Sequence, residues 1–502
     1  MTDSRTKSWR ALLFALAMLF ITGTLAPLAD ADLPMHLALG EWIIRHGALP
    51  HTEPFAWTRT GAPYFAYSWL AEVTFYELLE HGGPVALRML NGAIFSGAFL
   101  AMFEAARAMR ASREACWLAG ALNVLVLLAI SAFLRPQALL FILLPLAWTT
   151  IVRAIERPHA RGPLVALLLV AALTANTHIL FPLVAVPLVL CGLRPVSRTR
   201  GAALVSVVIA GMLLSPYGLN WGSVFLLNFR PNALFGPRTL IAEYRPGFSG
   251  GLLIGVILAS LPLIVAPTLS INERKIYGAL WLVGLVAFAL RAKALIVWWF
   301  VSLPMVVTGC MLVLAGASRA FRKFPMLLTV ALAFSGSYRL VVGGAAGTPS
   351  LQDAWRAEHR EPRRSLSSPA AMATEPLLAQ LARLDVPVRL LTVFDLGSYV
   401  PWRAPLVSES IDGRTIFPDS AALPDAVLMP LERAHALGPW QSANAAMVPL
   451  AYPVAAVLDS ASGWLRLATS AQEPMGAIGL WVRRDWYAGA CKPSCPALDI
   501  AR

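Results

Sequence analysis

Eleven apolar runs follow one another along the first two thirds of this chain, and a chain with that many has few ways to fold. The first runs from Ala11 to Ala29. Others lie near 87–106, 116–134, 137–152, 163–175, 179–193, 202–215, 250–268, 276–290, 294–316 and 324–341. Inside a bilayer every backbone polar group must be satisfied within the protein, and helices do this segment by segment. Only 14% of residues are charged and mean hydropathy is +0.64, which excludes a disordered chain and argues against an ordinary soluble enzyme. The reading is a polytopic α-helical membrane protein with a soluble part attached.

The basic residues set the topology. Residues 1–342 carry a net charge of +14 and residues 343–502 a net of −1. A nucleic-acid footprint would gather on the soluble part instead, so no nucleic-acid partner is expected. Basic clusters stand at Arg107/Arg110/Arg113, Arg153/Arg157/Arg161, Arg194/Arg198/Arg200, Arg274/Lys275 and Arg319/Arg322/Lys323. If each is cytoplasmic, an even number of spans separates neighbours, so 116–152 and 163–193 are hairpins. The N-terminal run has the basic flank of a signal peptide but no cleavage pattern, and it is read as a retained first span. The expectation is about eleven spans in an inner or plasma membrane, with the N-terminus cytoplasmic and the tail extracytoplasmic.

Four further segments follow from this topology. A first external loop, 30–85, holds two amphipathic helices, one from Asp32 to Gly47 and one from Ser68 to Gly82-Gly83-Pro84. A second long external loop covers 215–249. Residues 343–376, rich in Arg, Glu, Ser and Pro, read as a linker. Residues 377–502 read as an α/β domain, with strands at Val388–Phe394 and Pro405–Ser410 and helices near 376–384 and 423–436. Cys491 and Cys495 frame a turn and are able to pair if that end lies outside the cytoplasm.

Eight of the acids in residues 1–342 fall on the external side, together with the uncommon polar insertions. Ionisable groups at membrane depth are costly and usually face a cavity or a partner. Asp32 and His36 share one face of a helix start. Asp32 is placed to act as a general base or to hold a divalent cation, or simply to cap the helix. Glu53, Trp69 and Glu72 follow in the same loop, where Trp69 also suits an interfacial anchor and Glu72 a solvated face. Arg135, Arg291 and Lys293 are placed to clamp a lipid phosphate, or to snorkel to headgroups. Asn176 and His178 sit in a tight hairpin, where His178 suits a substrate hydroxyl or a structural hydrogen bond. No Gly-rich phosphate loop, Gly-x-Ser-x-Gly elbow or His-Glu-x-x-His helix occurs, which argues against ATP-driven transport, serine hydrolysis and zinc proteolysis.

The run Asp32-Leu-Pro-Met-His36-Leu-Ala-Leu-Gly40-Glu-Trp42, continuing to Leu49-Pro50-His-Thr-Glu53-Pro-Phe55, resembles the first external loop of bacterial GT-C-type glycosyltransferases. These are polytopic relatives of the protein O-mannosyltransferases. Arg135-Pro136-Gln137, Asn176-Thr-His178, Ser215-Pro216-Tyr217-Gly218, Ile241-Ala-Glu243-Tyr244, Gly397-Ser-Tyr399 and Ile411-Asp412-Gly413-Arg414 follow in the expected order. The chain departs from the pattern at Pro34-Met35, Ser215 and Tyr244, and its acids form Asp-x-Asp rather than an adjacent pair.

The resemblance implies a transferase that uses a polyprenyl-phosphate sugar. Asp32 matches the key acid, with Asp30 second to it. The outer ends of the spans would form the donor pocket, which makes His36, Glu53, Trp69, Glu72, Arg135, Gln137, Asn176, His178, Tyr217, Glu243, Arg291 and Lys293 its candidate binding residues. A divalent cation, Mg or Mn, is compatible with it. The leading expectation is an inverting membrane glycosyltransferase acting on an envelope glycan, lipid or protein acceptor. The alternatives are a non-catalytic scaffold of a glycan assembly complex and, last, a transporter.

Overall fold

Prolines and glycines set where the helices begin and turn. The computed structural model describes residues 2–26, 32–131, 134–228, 271–290, 295–315, 373–412, 442–471 and 476–490, with a few isolated positions between. Helix α1 spans Thr2–Leu25. Helix α2, Leu33–His46, carries its proline in the first turn and ends at Gly47, whose φ of 61° is the left-handed conformation glycine adopts without strain. Helix α3, Trp69–Ala108, breaks at Gly83, where φ is 65°, and resumes at Pro84. This separates the amphipathic helix from the membrane helix where the Gly-Gly-Pro signal places the boundary.

Helices α4 (Arg113–Ser131), α5 (Leu140–Glu156), α6 (Gly162–Thr177), α7 (Val189–Leu193), α8 (Arg198–Leu213) and α9 (Trp221–Asn228) follow. Further helices cover Ile271–Leu290, Leu295–Val301 and Leu303–Ala315. Among the described residues, two helices, Trp69–Ala108 and Pro136–Glu156, are long and apolar enough to cross a membrane. Two bent pairs, Arg198–Leu213 with Gly218–Leu226 and Leu295–Val301 with Leu303–Ala315, bring that to four. Shorter apolar helices lie at Trp9–Leu25, Gly162–Thr177 and Phe181–Leu193. The count of eleven remains an expectation, since the runs 250–268 and 324–341 lie outside the described residues.

Ion pairs and capping contacts hold one end of this bundle together. Glu104, near the end of α3, accepts from Arg107 at 2.7 Å and from Arg153 of α5 at 2.6 Å. Arg110 lies 3.1 Å from Glu156. Arg200, in the first turn of α8, donates to the carbonyls of Ala154, Arg157 and Ala160, so a cation meets the C-terminal carbonyls of α5. The hairpins 116–152 and 163–193 therefore leave this basic end and return to it. At the other end of α1, buried Arg88 donates to Thr24 O and Ala26 O, and Asn91 donates to Gly23 O. These bonds fix where α1 stops, just before the chain turns into α2.

The tail folds as a five-stranded mixed sheet in the order β2-β1-β3-β5-β4. Its strands are β1 (Val388–Thr392), β2 (Val407–Glu409), β3 (Ala445–Pro449), β4 (Trp464–Ala471) and β5 (Ala477–Arg483). Strand β1 pairs in parallel with β2 and β3, and β5 runs antiparallel between β3 and β4. The expected strands near 388 and 407 and the helix Glu375–Ala382 are present. The expected helix at 423–436, Cys491 and Cys495 lie outside the described residues. Strands β3, β4 and β5 have no counterpart in the sequence reading.

The tail rests on the first loop. The Trp57 indole donates to Leu390 O at 3.1 Å, and the Thr58 hydroxyl donates to Ser410 O at 2.6 Å. Leu39 and Ile43 of α2 share an apolar cluster with Ala56, Tyr64, Ala66 and Ile411. Helix α2 is thus packed between helix α3 and the tail.

Candidate functional site

Asp32 opens α2, but its side chain does not cap the helix. Its φ of −95° and ψ of −21° are already helical, and its carbonyl accepts from Met35 N and His36 N. The carboxylate turns instead to Arg135, whose guanidinium lies 3.0 Å away. Arg135 is presented by Pro136. A residue before proline is pushed to extended backbone, and Arg135 has φ −129° and ψ 154° ahead of a short 3-10 turn, Pro136–Leu139. The pair is partly open to solvent, with Asp32 27% and Arg135 15% exposed. A pair this far withdrawn from water is not a surface ion pair, and removing one partner alone would leave the other poorly solvated.

One turn along α2, His36 Nδ1 lies 3.1 Å from Glu72 Oε1 on α3. A carboxylate only accepts, so this nitrogen carries the proton. Glu72 is buried, with 4% of its surface exposed. Its position follows from Gly40, which lets α2 approach the Glu72 backbone and the Tyr76 side chain. Tyr217 stands in the turn between α8 and α9. Glu72 Oε2 is buried with no hydrogen-bond partner among the described residues, and the buried Tyr217 hydroxyl lies against the backbone of Ala66. Burial raises the Tyr217 phenol above its ordinary value and the Glu72 charge raises it further, while a hydrogen bond with the Ala66 backbone opposes them. Phe65 meets the Tyr217 ring edge-on at 5.4 Å and Trp221 does so at 5.6 Å. Phe65 and Trp221 were not anticipated from sequence. The aromatic run Phe65-Ala-Tyr67-Ser-Trp69 is the signal that points to the first of them.

Other candidates are held by the scaffold. The Trp69 indole donates to Asn176 Oδ1 at 2.8 Å, and Asn176 Nδ2 donates to Ala172 O and Leu214 O. Asn176 thereby ties α3, α6 and α8 at the same end as Asp32. His178 Nδ1 accepts from Leu180 N at 3.1 Å, which places the proton on Nε2 of the neutral ring, and Tyr67 meets the ring edge-on. Glu53 Oε1 accepts from Phe55 N and Ala56 N, shaping the turn that leads to Trp57. Gln137 is half-buried in the turn after Arg135. Asp30, Glu243, Arg291 and Lys293 lie outside the described residues.

Asp32, Arg135, His36, Glu72, Asn176 and Tyr217 thus gather at one end of the bundle, opposite the basic clusters. No group of three or more His, Cys, Asp or Glu side chains converges as a metal centre among the described residues.

No protein-family model and no curated protein matches the sequence. Solved structures do match the fold. The archaeal oligosaccharyltransferase AglB from Archaeoglobus fulgidus, solved with an inhibitory peptide and a dolichol-phosphate, aligns with a TM-score of 0.60 at 11% identity. That alignment covers 96% of this chain and 75% of AglB. ArnT from Cupriavidus metallidurans, bound to undecaprenyl phosphate, aligns with a TM-score of 0.52 at 14% identity, covering 97% of this chain and 99% of its own. The mycobacterial arabinofuranosyltransferase AftD aligns with a TM-score of 0.53 at 17% identity, over 94% of this chain and 41% of AftD. At these identities the fold is what is shared. That shared fold is the one the sequence resemblance implied.

Proposed function

We propose that this chain is a membrane glycosyltransferase that moves a sugar from a polyprenyl-phosphate donor to an envelope glycan, lipid or protein acceptor at the outer face of the membrane. The observation that carries the reading is the Asp32–Arg135 pair, a carboxylate and a guanidinium 3.0 Å apart and partly open to solvent on the scaffold of a glycosyltransferase fold. Fold alone does not assign activity, so the argument rests on this pair.

The donor phosphate takes the Arg135 guanidinium, whose planar fork matches its oxygens. Displaced from Arg135, the Asp32 carboxylate accepts the proton of the acceptor hydroxyl. The hydroxyl oxygen attacks the anomeric carbon, and the bond from that carbon to the phosphate oxygen breaks with its electron pair. A sugar–acceptor bond, a protonated Asp32 and a free polyprenyl phosphate result. One displacement inverts the anomeric configuration. The leaving phosphate gains negative charge as the bond breaks, so Arg135 stabilises the transition state more than the ground state. Arg291 and Lys293 are proposed to add positive charge there. The tail domain, seated on α2, would shape the acceptor side.

The test is a lipid profile by mass spectrometry from a strain lacking the gene, complemented with wild type or with Asp32→Asn. Accumulation of a polyprenyl-phosphate sugar that only wild type clears is the expected result, and its mass names the sugar. If both versions clear it, Asp32 is not the base and the scaffold reading takes its place.

A further inference from the structure

The transfer drawn above leaves one proton on Asp32, and the ion pair with Arg135 is restored only once that proton has gone. The helix that carries Asp32 also carries a place for it. His36 stands one turn further on, and side chains four residues apart share a helix face, with Cβ atoms about 5–6 Å apart. The His36 Nδ1–H donates to Glu72 Oε1 at 3.1 Å. The other ring nitrogen, Nε2, makes no hydrogen bond among the described residues and is not sealed from solvent, since the side chain is 21% exposed. Glu72 is the opposite case. It is buried, with His36 on one oxygen and no hydrogen-bond partner for the other among the described residues. A buried carboxylate held by one neutral donor is costly, and a proton arriving at Nε2 turns that bond into an ion pair. The proton thus cancels a buried negative charge at Glu72, whereas Arg135 already balances the charge of Asp32.

We infer that His36, held by Glu72, is the proton relay of the transfer. The inference rests on the transfer reading above and extends it. The acceptor oxygen bonds to the anomeric carbon, the phosphate leaves with the electron pair of the broken bond, and the hydroxyl proton passes to Asp32. It then moves from the Asp32 oxygen to His36 Nε2, directly or across one water. The imidazolium keeps its Nδ1–H on the Glu72 carboxylate and releases the relayed proton to solvent from its open Nε2 side. Asp32, a carboxylate again, faces Arg135 once the polyprenyl phosphate has left. The other charges around α2 have partners of their own. Glu41 faces Arg45 on the helix itself, and Arg403 of the short helix Val400–Arg403, which packs on α2, is held by Glu375. Tyr76 of α3 meets α2 at Gly40, one turn beyond His36.

The experiment uses the full chain. Lysate of the gene-deletion strain, which holds the accumulated lipid-linked sugar and the acceptor alike, is mixed with wild type, His36→Gln or Glu72→Gln in detergent. Loss of that lipid is timed by mass spectrometry from about pH 5 to about pH 8, the range in which histidine changes charge. Thermal unfolding of each protein is measured in parallel. The wild-type rate should fall on the acid side of this range, as His36 becomes charged before the proton reaches it. An ordinary aspartate titrates near about 4, so such a limb does not belong to Asp32. His36→Gln keeps a donor for Glu72 but cannot take a proton, and should slow transfer by about a hundredfold and lose the limb. Glu72→Gln keeps an oxygen for the Nδ1–H but removes the charge that favours the imidazolium, so its limb should move to lower pH. A mere tie between α2 and α3 would lower the unfolding temperature or the rate and leave the shape of the pH profile unmoved, and that result overturns the relay. Transfer by His36→Gln at the wild-type rate overturns it too. If wild type itself consumes no lipid-linked sugar, the transfer reading has failed, and the wild-type arm alone shows it.

Discussion

Gly40 of α2 presses on the backbone of Glu72 in α3, so close that a Cβ at position 40 would overlap the Glu72 carbonyl. This contact sets the depth at which His36 meets Glu72. Gly40→Ala gains about 1 kcal/mol of helix propensity but overpacks the crossing, which costs about 1–3 kcal/mol, so the sign favours destabilisation. Gly201 in α8 has open space around its Cβ position, and Gly201→Ala should therefore stabilise by about 1 kcal/mol. Thermal unfolding of the two variants in one detergent should move in opposite directions. Loss of transfer should accompany the Gly40 variant alone.

Arg135 separates a point charge from a planar fork. Arg135→Lys keeps the charge and still opposes Asp32, but it cannot bind a phosphate through two parallel hydrogen bonds. Because Arg135→Lys keeps a cation opposite the Asp32 carboxylate, the pair's charge stays compensated. We expect Arg135→Lys to fold as wild type does and to lose at least tenfold in transfer, with Arg135→Gln lower still. Equal transfer by Arg135→Lys and wild type would remove the bidentate phosphate contact from the mechanism.

How much of this was legible in the sequence depended on distance along the chain. The bounds of α2 and the break in α3 come from local signals: Pro34, Gly47, and Gly83 with Pro84. Asp32 and Arg135 were both singled out and placed at the same end, but their pairing is a tertiary fact across 103 residues and no local pattern encodes it. The cap expected of Asp32 failed to form because the carboxylate had a stronger partner than a backbone N–H. Strand β3, Ala445-Ala-Met-Val-Pro449, is buried at every position and so lacks the alternation that marks a half-exposed strand. The unmet oxygen of Glu72 was invisible for another reason: satisfaction of a polar group is a property of the packed protein, not of a motif.

Asn176 was a candidate for the substrate, and its bonds give it an architectural task. Oδ1 takes the Trp69 indole, and Nδ2 donates to two carbonyls. Replacing it by Ala leaves the half-buried Trp69 N–H without that acceptor, at about 1 kcal/mol. Asn176→Ala should lower the unfolding temperature while the folded fraction keeps its transfer rate within about threefold of wild type, a difference of roughly 0.6 kcal/mol in barrier. A rate loss of a hundredfold in fully folded protein would return Asn176 to the substrate.

The seat of the tail on the first loop is the last point the structure makes testable. Trp57 and Thr58 each give one hydrogen bond to the sheet, at Leu390 O and Ser410 O, and Ile411 is packed beneath them against α2. Each bond contributes about 1 kcal/mol net, and two lost together approach the strength of a small domain contact. The double variant Trp57→Phe, Thr58→Val keeps most of the apolar area and removes only these bonds. It should leave the sheet folded but let it separate from α2, which limited proteolysis would read as faster release of an intact tail fragment. Because α2 carries both Asp32 and His36, transfer should fall in parallel with that release. Faster release at an unchanged transfer rate would show that α2 is positioned by α3 alone, and would confine the tail to the acceptor side.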